Sequence, residues 1–384
     1  MTIVAAVALA AWIYLVVFHG RFWLAAPASS PAVARTSPSA PRVAVVIPAR
    51  NEADVVAAAV TSLLSQDHSG LLHIFLVDDA STDGTADVAR RAAADLGRSG
   101  SLTVIPSAAL PTGWTGKLWA VAQGVARARD FQPGFLLLTD ADVAQAPDAL
   151  SSLVALAESG PHDLVSYMVR LHCATAAERL LIPAFVYFFF LLYPPRRVRD
   201  RRSRVAGAAG GCMLVRPEAL ERAGGIEAIR AEIIDDCALA AAIKRSGGAV
   251  WLGLAPASHS LRPYDTFAAI EHMIARTAFD QLRHSALLLL GCVAGLLLTF
   301  VAPVALLFSG HALPIALAAS AWALMTISYF PMVRFYRRNA FWALTLPLAA
   351  VFYLGATAHS AINYWRGRGG QWKGRAQDVR ARTQ

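Results

Sequence analysis

Phe135-Leu136-Leu137-Leu138-Thr139-Asp140-Ala141-Asp142 is a short apolar run that ends abruptly in two carboxylates one residue apart. The run has the length and character of a strand buried on both faces, which leaves Asp140 and Asp142 in the turn at its C-terminal edge. In open α/β sheets that edge is where ligands bind. Aspartates spaced i, i+2 at such an edge can share one hard divalent cation, and the cation can grip a pyrophosphate. Taken alone, the pair is more often an acidic turn that merely closes a strand, so its meaning depends on the neighbouring segments.

Upstream, Val43-Ala-Val-Val-Ile47 is a second buried-type strand, closed by Pro48, and Asn51 is placed to cap a helix through Leu64. Leu72-His-Ile-Phe-Leu-Val77 is a strand ending in Asp78-Asp79, and the turn Ala80-Ser-Thr-Asp-Gly-Thr85 launches an alanine-rich helix. Residues 101–105 supply a further strand. Strand and helix alternating in this rhythm predict a mostly parallel sheet flanked by helices, an α/β fold. The G-x-G-x-x-G that marks a dinucleotide fold is missing after the first strand. Lys117 follows Gly116 at a helix start, where an ammonium meets phosphate oxygens or simply faces solvent. Downstream come a helix over 148–158, a strand over 164–169 and the turn Gly210-Gly211 entering another strand. Asp235-Asp236 then precedes the helix 237–245, and a strand covers 249–254. Carboxylates at a helix N-terminus are favourable with or without a chemical role.

The composition separates this chain from ordinary soluble domains. It is 56% hydrophobic and 16% charged over 384 residues, against roughly 45–50% and about 25% for typical globular proteins. Part of it therefore belongs in lipid. The predicted organisation is an uncleaved N-terminal anchor (1–24), an Ala/Ser/Pro linker (25–42), an α/β domain (43–258), an amphipathic connector (259–285), a membrane region (286–365) and a basic tail (366–384). The connector carries Arg262, Arg276 and Arg283. The apolar, aromatic stretch Leu180 to Tyr193 reads as an interfacial or partly buried helix. The arginines after it, from Arg196 to Arg204, form either a charged loop or a contact for anionic groups. The net charge of +9 suits an anionic membrane surface or a phosphorylated substrate. No nucleic-acid reader motif is present. Cys173, Cys212, Cys237 and Cys292 lack metal-ligand spacing and read as thiols in a reducing compartment. Spans over 286–308, 312–330 and 340–364 put the α/β domain and the C-terminus on opposite sides. The basic flanks ask for both inside, a conflict that one re-entrant or peripheral segment would remove.

In order along the chain, Val45-Val-Ile-Pro-Ala-Arg-Asn-Glu52, Val77-Asp-Asp-Ala-Ser-Thr-Asp-Gly-Thr85, Gly116-Lys117, Thr139-Asp-Ala-Asp142, Gly210-Gly211 and Asp235-Asp236 resemble the stations of the family 2 glycosyltransferases. Each is weak alone, whereas the ordered set is specific, and it covers about Val43 to Gly253. With the anchor, Gly113-Trp-Thr-Gly-Lys117 and a terminal Trp372-Lys-Gly-Arg375, the layout looks most like the hopanoid-biosynthesis-associated membrane glycosyltransferases.

The resemblance implies a GT-A fold, an inverting mechanism and a nucleotide-diphospho-sugar donor, UDP-linked if Asp79 reads a uracil imide. It places Mg²⁺ or Mn²⁺ on Asp142 and Asp140, with Lys117 as a second positive charge on the diphosphate. Pro48 and Glu52 line the nucleoside side, Gly210 and Gly211 meet the acceptor, and Asp236 is the base beside Asp235. Like charge alongside would raise one pKa of that pair. The Gln-x-x-Arg-Trp sequence of many membrane members is missing. Arg276 or Arg283 is the candidate substitute over the pyrophosphate, and the departure argues against a processive polysaccharide synthase. The expected enzyme is a multi-pass protein of the inner membrane. Its catalytic domain faces the cytoplasm and transfers a sugar to a lipid hydroxyl such as that of a hopanoid. The competing expectations are transfer to a polyprenyl phosphate or a polysaccharide, and a catalytically inactive membrane scaffold.

Overall fold

The computed structural model describes residues 1–24 and 40–367 and two short strands, Gln371–Trp372 and Arg375–Ala376. Most of the predicted linker and most of the basic tail, Lys373 included, lie outside the described residues. The chain divides into two compact units. One falls within Met1–Ala25, His172–Arg196 and Pro263–Gly370, the other within Ala26–Leu171, Arg197–Arg262 and Gln371–Gln384.

The second unit is built on β1 (Val43–Ala49), β2 (Leu72–Asp78), β3 (Leu102–Pro106), β4 (Phe135–Leu138), β5 (Val143–Ala144), β6 (Leu164–Arg170), β7 (Met213–Val215) and β8 (Val250–Ser260). They form one sheet in the order β3-β2-β1-β4-β7-β6-β8-β5. The β1–β2, β2–β3, β1–β4 and β6–β8 pairs are parallel; β4–β7, β6–β7 and β5–β8 are antiparallel. The sheet is therefore mixed and mostly parallel, as the strand and helix rhythm predicts.

All seven residues of β1 are buried, which is why this strand shows no polar alternation. The chain leaves β1 toward β2 and β3 on one side and returns through β4 on the other. A crevice opens where the order reverses, beyond the C-terminal ends of β1 and β4. Pro48 lies inside β1 and does not close it, because pairing with β2 continues to Ala49↔Asp78 while pairing with β4 stops at Val46↔Leu138. The Val46 carbonyl accepts from Thr139 N–H on the β4 side. Pro48, two residues on, faces that same side, so its missing N–H forfeits no ladder bond.

The helix Gly116–Ala128 crosses β1 and β2 closely enough that a Cβ at Gly124 would lie 2.5 Å from Val46 Cγ1 and 3.1 Å from Val77 Cγ2. Glycine there sets the approach that brings Lys117 to the crevice. From Arg197 onward the Arg-rich segment lies in this unit, with Arg199 ending the short helix Pro195–Arg199 and a loop following it. Lys244 Nζ donates to the carbonyls of Val198, Asp200 and Val205 at 2.8–2.9 Å, and the Arg199 guanidinium lies 4.1 Å over the Trp251 ring.

The first unit is helical. Among the described residues, four of its helices, Thr2–Leu24, Ala286–Leu306, Ala312–Phe335 and Ala340–Trp365, are long and apolar enough to cross a membrane. The second of these carries a π-helical turn at Leu297–Val301 just before Pro303, the adjustment expected where a proline clashes with the preceding turn. The aromatic helix Ala176–Leu192 belongs to this unit. Its Tyr187 is buried against Phe22 and Tyr329, and its hydroxyl meets Ser328 Oγ at 2.7 Å. All four cysteines are free thiols.

Candidate active site

The crevice between β1 and β4 is narrow, about 20 Å³, and lined among others by Pro48, Lys117, Thr139, Asp140, Gly210 and Asp235. Four stretches supply its polar groups, each held by a local device.

After β1 the backbone turns at Asn51, whose φ is +51°. Asn51 does not cap the following helix, which starts at Val56 without a side-chain cap. The Asn51 N–H instead donates to Ser81 Oγ and its Oδ1 accepts from Thr82 N–H. Thr85 Oγ1 accepts from Glu52 N–H at 2.8 Å. The turns after β1 and β2 are thereby laced together, and they carry Arg50, Glu52, Asp78 and Asp79. Asp78 caps its own turn through Ser81 N–H. Asp79 is 2% exposed, with Arg50 3.5 Å from its Oδ2.

Lys117 sits in the first turn of its helix, behind the N-cap Thr115. Its Nζ lies 2.9 Å from Asp140 Oδ1 and 3.1 Å from Asp235 Oδ2. Burial works against the ammonium, but the carboxylates of Asp140, Asp235 and Asp236 more than offset it and hold its pKa above the usual lysine range.

Asp235 and Asp236 open the helix Asp235–Arg245. Asp236 Oδ2 accepts from Gly210 N–H at 2.9 Å and Oδ1 from Cys237 N–H at 2.7 Å. A Cβ at Gly210 would come within 3.5 Å of Asp236 Oδ2 and 3.6 Å of Lys117 Nζ, so the glycine backs directly onto both groups. The Gly211 carbonyl accepts from Thr139 Oγ1 at 2.7 Å, which ties the Gly-Gly turn to the end of β4. Burial first, and the neighbouring Asp235 charge second, push the Asp236 carboxyl up to about 6. A carboxylate tuned toward neutrality is a competent base near physiological pH.

Asp142 does not share a partner with Asp140. Its Oδ2 accepts from Arg262 Nε at 2.9 Å, and the other arm of the same guanidinium binds Glu52 Oε2. In the sequence Arg262 is one arginine among several in the expected connector, with nothing to single it out. It arrives because β8 pairs antiparallel with β5, Ser260 opposite Val143, and Leu261 N–H then donates to the Asp142 carbonyl. No local pattern marks it; the pairing of strands more than a hundred residues apart does. Arg276 and Arg283 belong to the helical unit.

The donor set fits a hard divalent cation. Asp140 and Asp142 offer only carboxylate oxygens. Burial, followed by the Asp140 charge, raises the Asp142 carboxyl against the pull of Arg262 and Lys117; those two side chains already meet the pair, Lys117 on Asp140 and Arg262 on Asp142, so a divalent cation would add to or displace them. A second cluster, His172, Glu178 and Asp265, has its potential ligand atoms within 4.8 Å of one another in the helical unit. Glu178 is already saturated. Its Oε1 accepts from His172 Nδ1 and Tyr264 N–H, and its Oε2 from Ala174 and Thr175 N–H, completing a capping box.

Three comparisons bear on this geometry. A family model described as glycosyltransferase like family 2 matches residues 41–278, more than half of the chain. An N-acetylglucosaminyltransferase of Rhizobium leguminosarum bv. viciae is 33% identical over 138 residues, 36% of this chain and 30% of that protein. In that match the chain spans less than a third of its relative's length. Among solved structures, the mannosyltransferase PcManGT from Pyrobaculum calidifontis, in complex with GDP-Man and Mn²⁺, is similar with a TM-score of 0.56. That likeness covers 95% of this chain and 99% of the other, at 21% identity. At that identity it speaks for the fold, a GT-A-like mixed sheet with flanking helices.

Proposed function

This chain belongs to the glycosyltransferase like family 2, and from that premise we propose that it moves one sugar, with inversion, from a nucleotide-diphospho-sugar to a lipid hydroxyl. The observation that carries the reading is the convergence of Lys117, Asp140, Asp235 and Asp236 at the crevice where the strand order reverses. The mannosyltransferase of similar fold is a complex with GDP-Man and Mn²⁺, which supports a sugar nucleotide and a divalent cation here as well. Four helices able to cross a membrane support an acceptor drawn from lipid. The hopanoid acceptor and the cytoplasmic face of the inner membrane rest on the sequence resemblance.

In this mechanism Asp236 Oδ takes the proton of the acceptor hydroxyl. The acceptor oxygen attacks the anomeric carbon, and the bond from that carbon to the phosphate oxygen breaks with its electron pair leaving on the diphosphate. Gly210 and Cys237 N–H groups hold the Asp236 carboxylate in place for the transfer. Lys117 supplies fixed positive charge where negative charge develops on the leaving group. Asp140 and Asp142 would hold Mg²⁺ or Mn²⁺, which neutralises the diphosphate as a Lewis acid when bound. Asp79 and Glu52 stand on the nucleoside side, Asp79 as acceptor for a base N–H. Gly210 leaves room for the acceptor beside the base, while a Cβ at Gly211 would point at Val143 and Val169.

Incubating the purified full chain with a panel of nucleotide sugars and membrane lipids, read by mass spectrometry, tests the proposal. A glycolipid whose yield needs both a divalent cation and one particular sugar nucleotide is expected. Products only on polyprenyl phosphate would move the acceptor class, and no product from any pair would favour the scaffold.

A further inference from the structure

Arg262 has an unusual pair of partners. One arm of its guanidinium holds Asp142 Oδ2 at 2.9 Å and the other holds Glu52, so it bridges the turn after β1 to the turn after β4. Both partners are largely buried, with 20% and 9% of their side chains exposed, and Arg262 itself is 26% exposed. The backbone already pins the Arg262 segment to the Asp142 turn through Val143↔Ser260 and through Leu261 N–H on the Asp142 carbonyl. Holding that segment in place therefore does not require the Arg262 contact to Asp142, and the contact has another consequence: it sets a positive charge on one oxygen of the carboxylate that a divalent cation on Asp142 would use.

We infer that Arg262 is the resident counter-ion of the cation site, competing with the divalent cation for Asp142, with Glu52 as the carboxylate that keeps the displaced guanidinium nearby. This rests on the reading of Asp140 and Asp142 as the cation ligands. Arg262 suits the task because its planar fork grips two carboxylates at once, and its charge is not lost at any working pH. A cation that binds Asp142 must either displace the guanidinium from Oδ2 or sit against its positive charge. The affinity of the crevice for free metal is held down, and a sugar nucleotide that brings its own negative charge tips the exchange. Arg262 is thus a positioning residue that couples cation entry to donor entry.

The test is a Mn²⁺ titration of the full chain in detergent without nucleotide, following the free aquo-ion by electron paramagnetic resonance. Arg262→Gln should tighten Mn²⁺ binding by about tenfold or more, the lower end for loss of a hydrogen bond to a charged group. Arg50→Gln removes the same charge from the neighbouring turn without touching Asp142, and should change the affinity by less than about threefold, the scale of a partly screened charge. Equal effects from the two variants would overturn the inference, since only long-range charge would then be acting. So would an Arg262→Gln protein with unchanged or weaker Mn²⁺ binding. Should Arg262→Gln fail to fold, Arg262→Lys keeps the charge and loses the fork. Tighter binding in that variant supports the competition, and unchanged binding overturns it. Asp142→Ala distinguishes failure of the cation site from failure of the competition. If it binds Mn²⁺ like the wild type, the cation reading itself fails. If it loses binding while the Arg262 variants show no gain, the counter-ion inference alone fails.

Discussion

Replacing Asp236 by Asn changes one atom at the proposed base and leaves its shape intact. In the wild type both oxygens accept, Oδ2 from Gly210 N–H and Oδ1 from Cys237 N–H. An Asn side chain keeps one acceptor and turns an NH₂ toward the other backbone N–H, so one of the two hydrogen bonds is lost. That costs about 1–3 kcal/mol of local stability, the range for a buried donor left unmatched, which a melting curve will register without unfolding the domain. The catalytic effect is larger, because the amide cannot take the acceptor proton. A positioned base contributes roughly 10²–10⁴-fold, so kcat should fall by about two to four orders of magnitude while donor binding is kept. The pH profile adds an independent signature. The carboxyl lies near 6; below that pH it is protonated and cannot act, so wild-type kcat/KM should fall about tenfold per pH unit as pH drops below 6, and the Asp236→Asn enzyme should lose that limb. The assay is initial-rate transfer across pH 5–8 (~1-unit steps suffice to resolve such a limb), with donor affinity measured separately by calorimetry. An Asp236→Asn enzyme that keeps more than about a tenth of wild-type kcat, or the same acid limb, would refute the base assignment, since neither fits loss of a base worth at least ~10².

Other consequences are as concrete. The Asp235 charge helps to raise the Asp236 carboxyl, so Asp235→Asn should lower that pKa and move the acid limb of kcat/KM to lower pH; a limb that stays put would mean that burial alone sets it, and one that moves up would refute the like-charge account. Asp142→Ala should weaken sugar-nucleotide binding in Mn²⁺ by about tenfold or more, as expected when a ligand of a phosphate-bridging cation is removed, and calorimetry showing unchanged affinity would count against the metal role. Gly124→Ala places a methyl 2.5 Å from Val46 Cγ1. Overpacking costs about 1–3 kcal/mol and the helix preference of Ala over Gly returns about 1, so a net loss of up to roughly 2 kcal/mol should appear as a lower Tm, with reduced transfer because the same helix carries Lys117.

Much of this protein is legible in short stretches of its sequence. β1 and β4 are visible as uninterrupted apolar runs, and β2 as one broken only by His73, because strands buried on both faces need no polar alternation. The four membrane-length helices are visible because lipid demands long unbroken apolar segments. Asp79, Lys117, Asp140, Asp142, Asp235 and Asp236 are each findable from their place at a strand end or helix start, since such places expose unpaired backbone groups and polar side chains together. The fate of Asn51 and Pro48 is not findable that way. Asn51 has the chemistry of a helix cap, but the neighbouring turn after β2 offered it better partners, and Pro48 stays in β1 only because β4 has already ended beside it.

Sequence alone determined which residues are chemically able to act and in what order they come along the chain. Tertiary structure alone decided who meets whom. Lys117 meets both Asp140 and Asp235, the latter 118 residues further along the chain, and Arg262 meets both Asp142 and Glu52, the latter 210 residues earlier. Both pairings follow from strand order: the reversal between β1 and β4 makes the crevice, and the β5–β8 pairing delivers Arg262 to its rim. Local periodicity encodes whether a segment is strand or helix, because that depends on its own solvation. It does not encode which of several similar arginines reaches a carboxylate, because that depends on the register of strands that meet only once the sheet has closed.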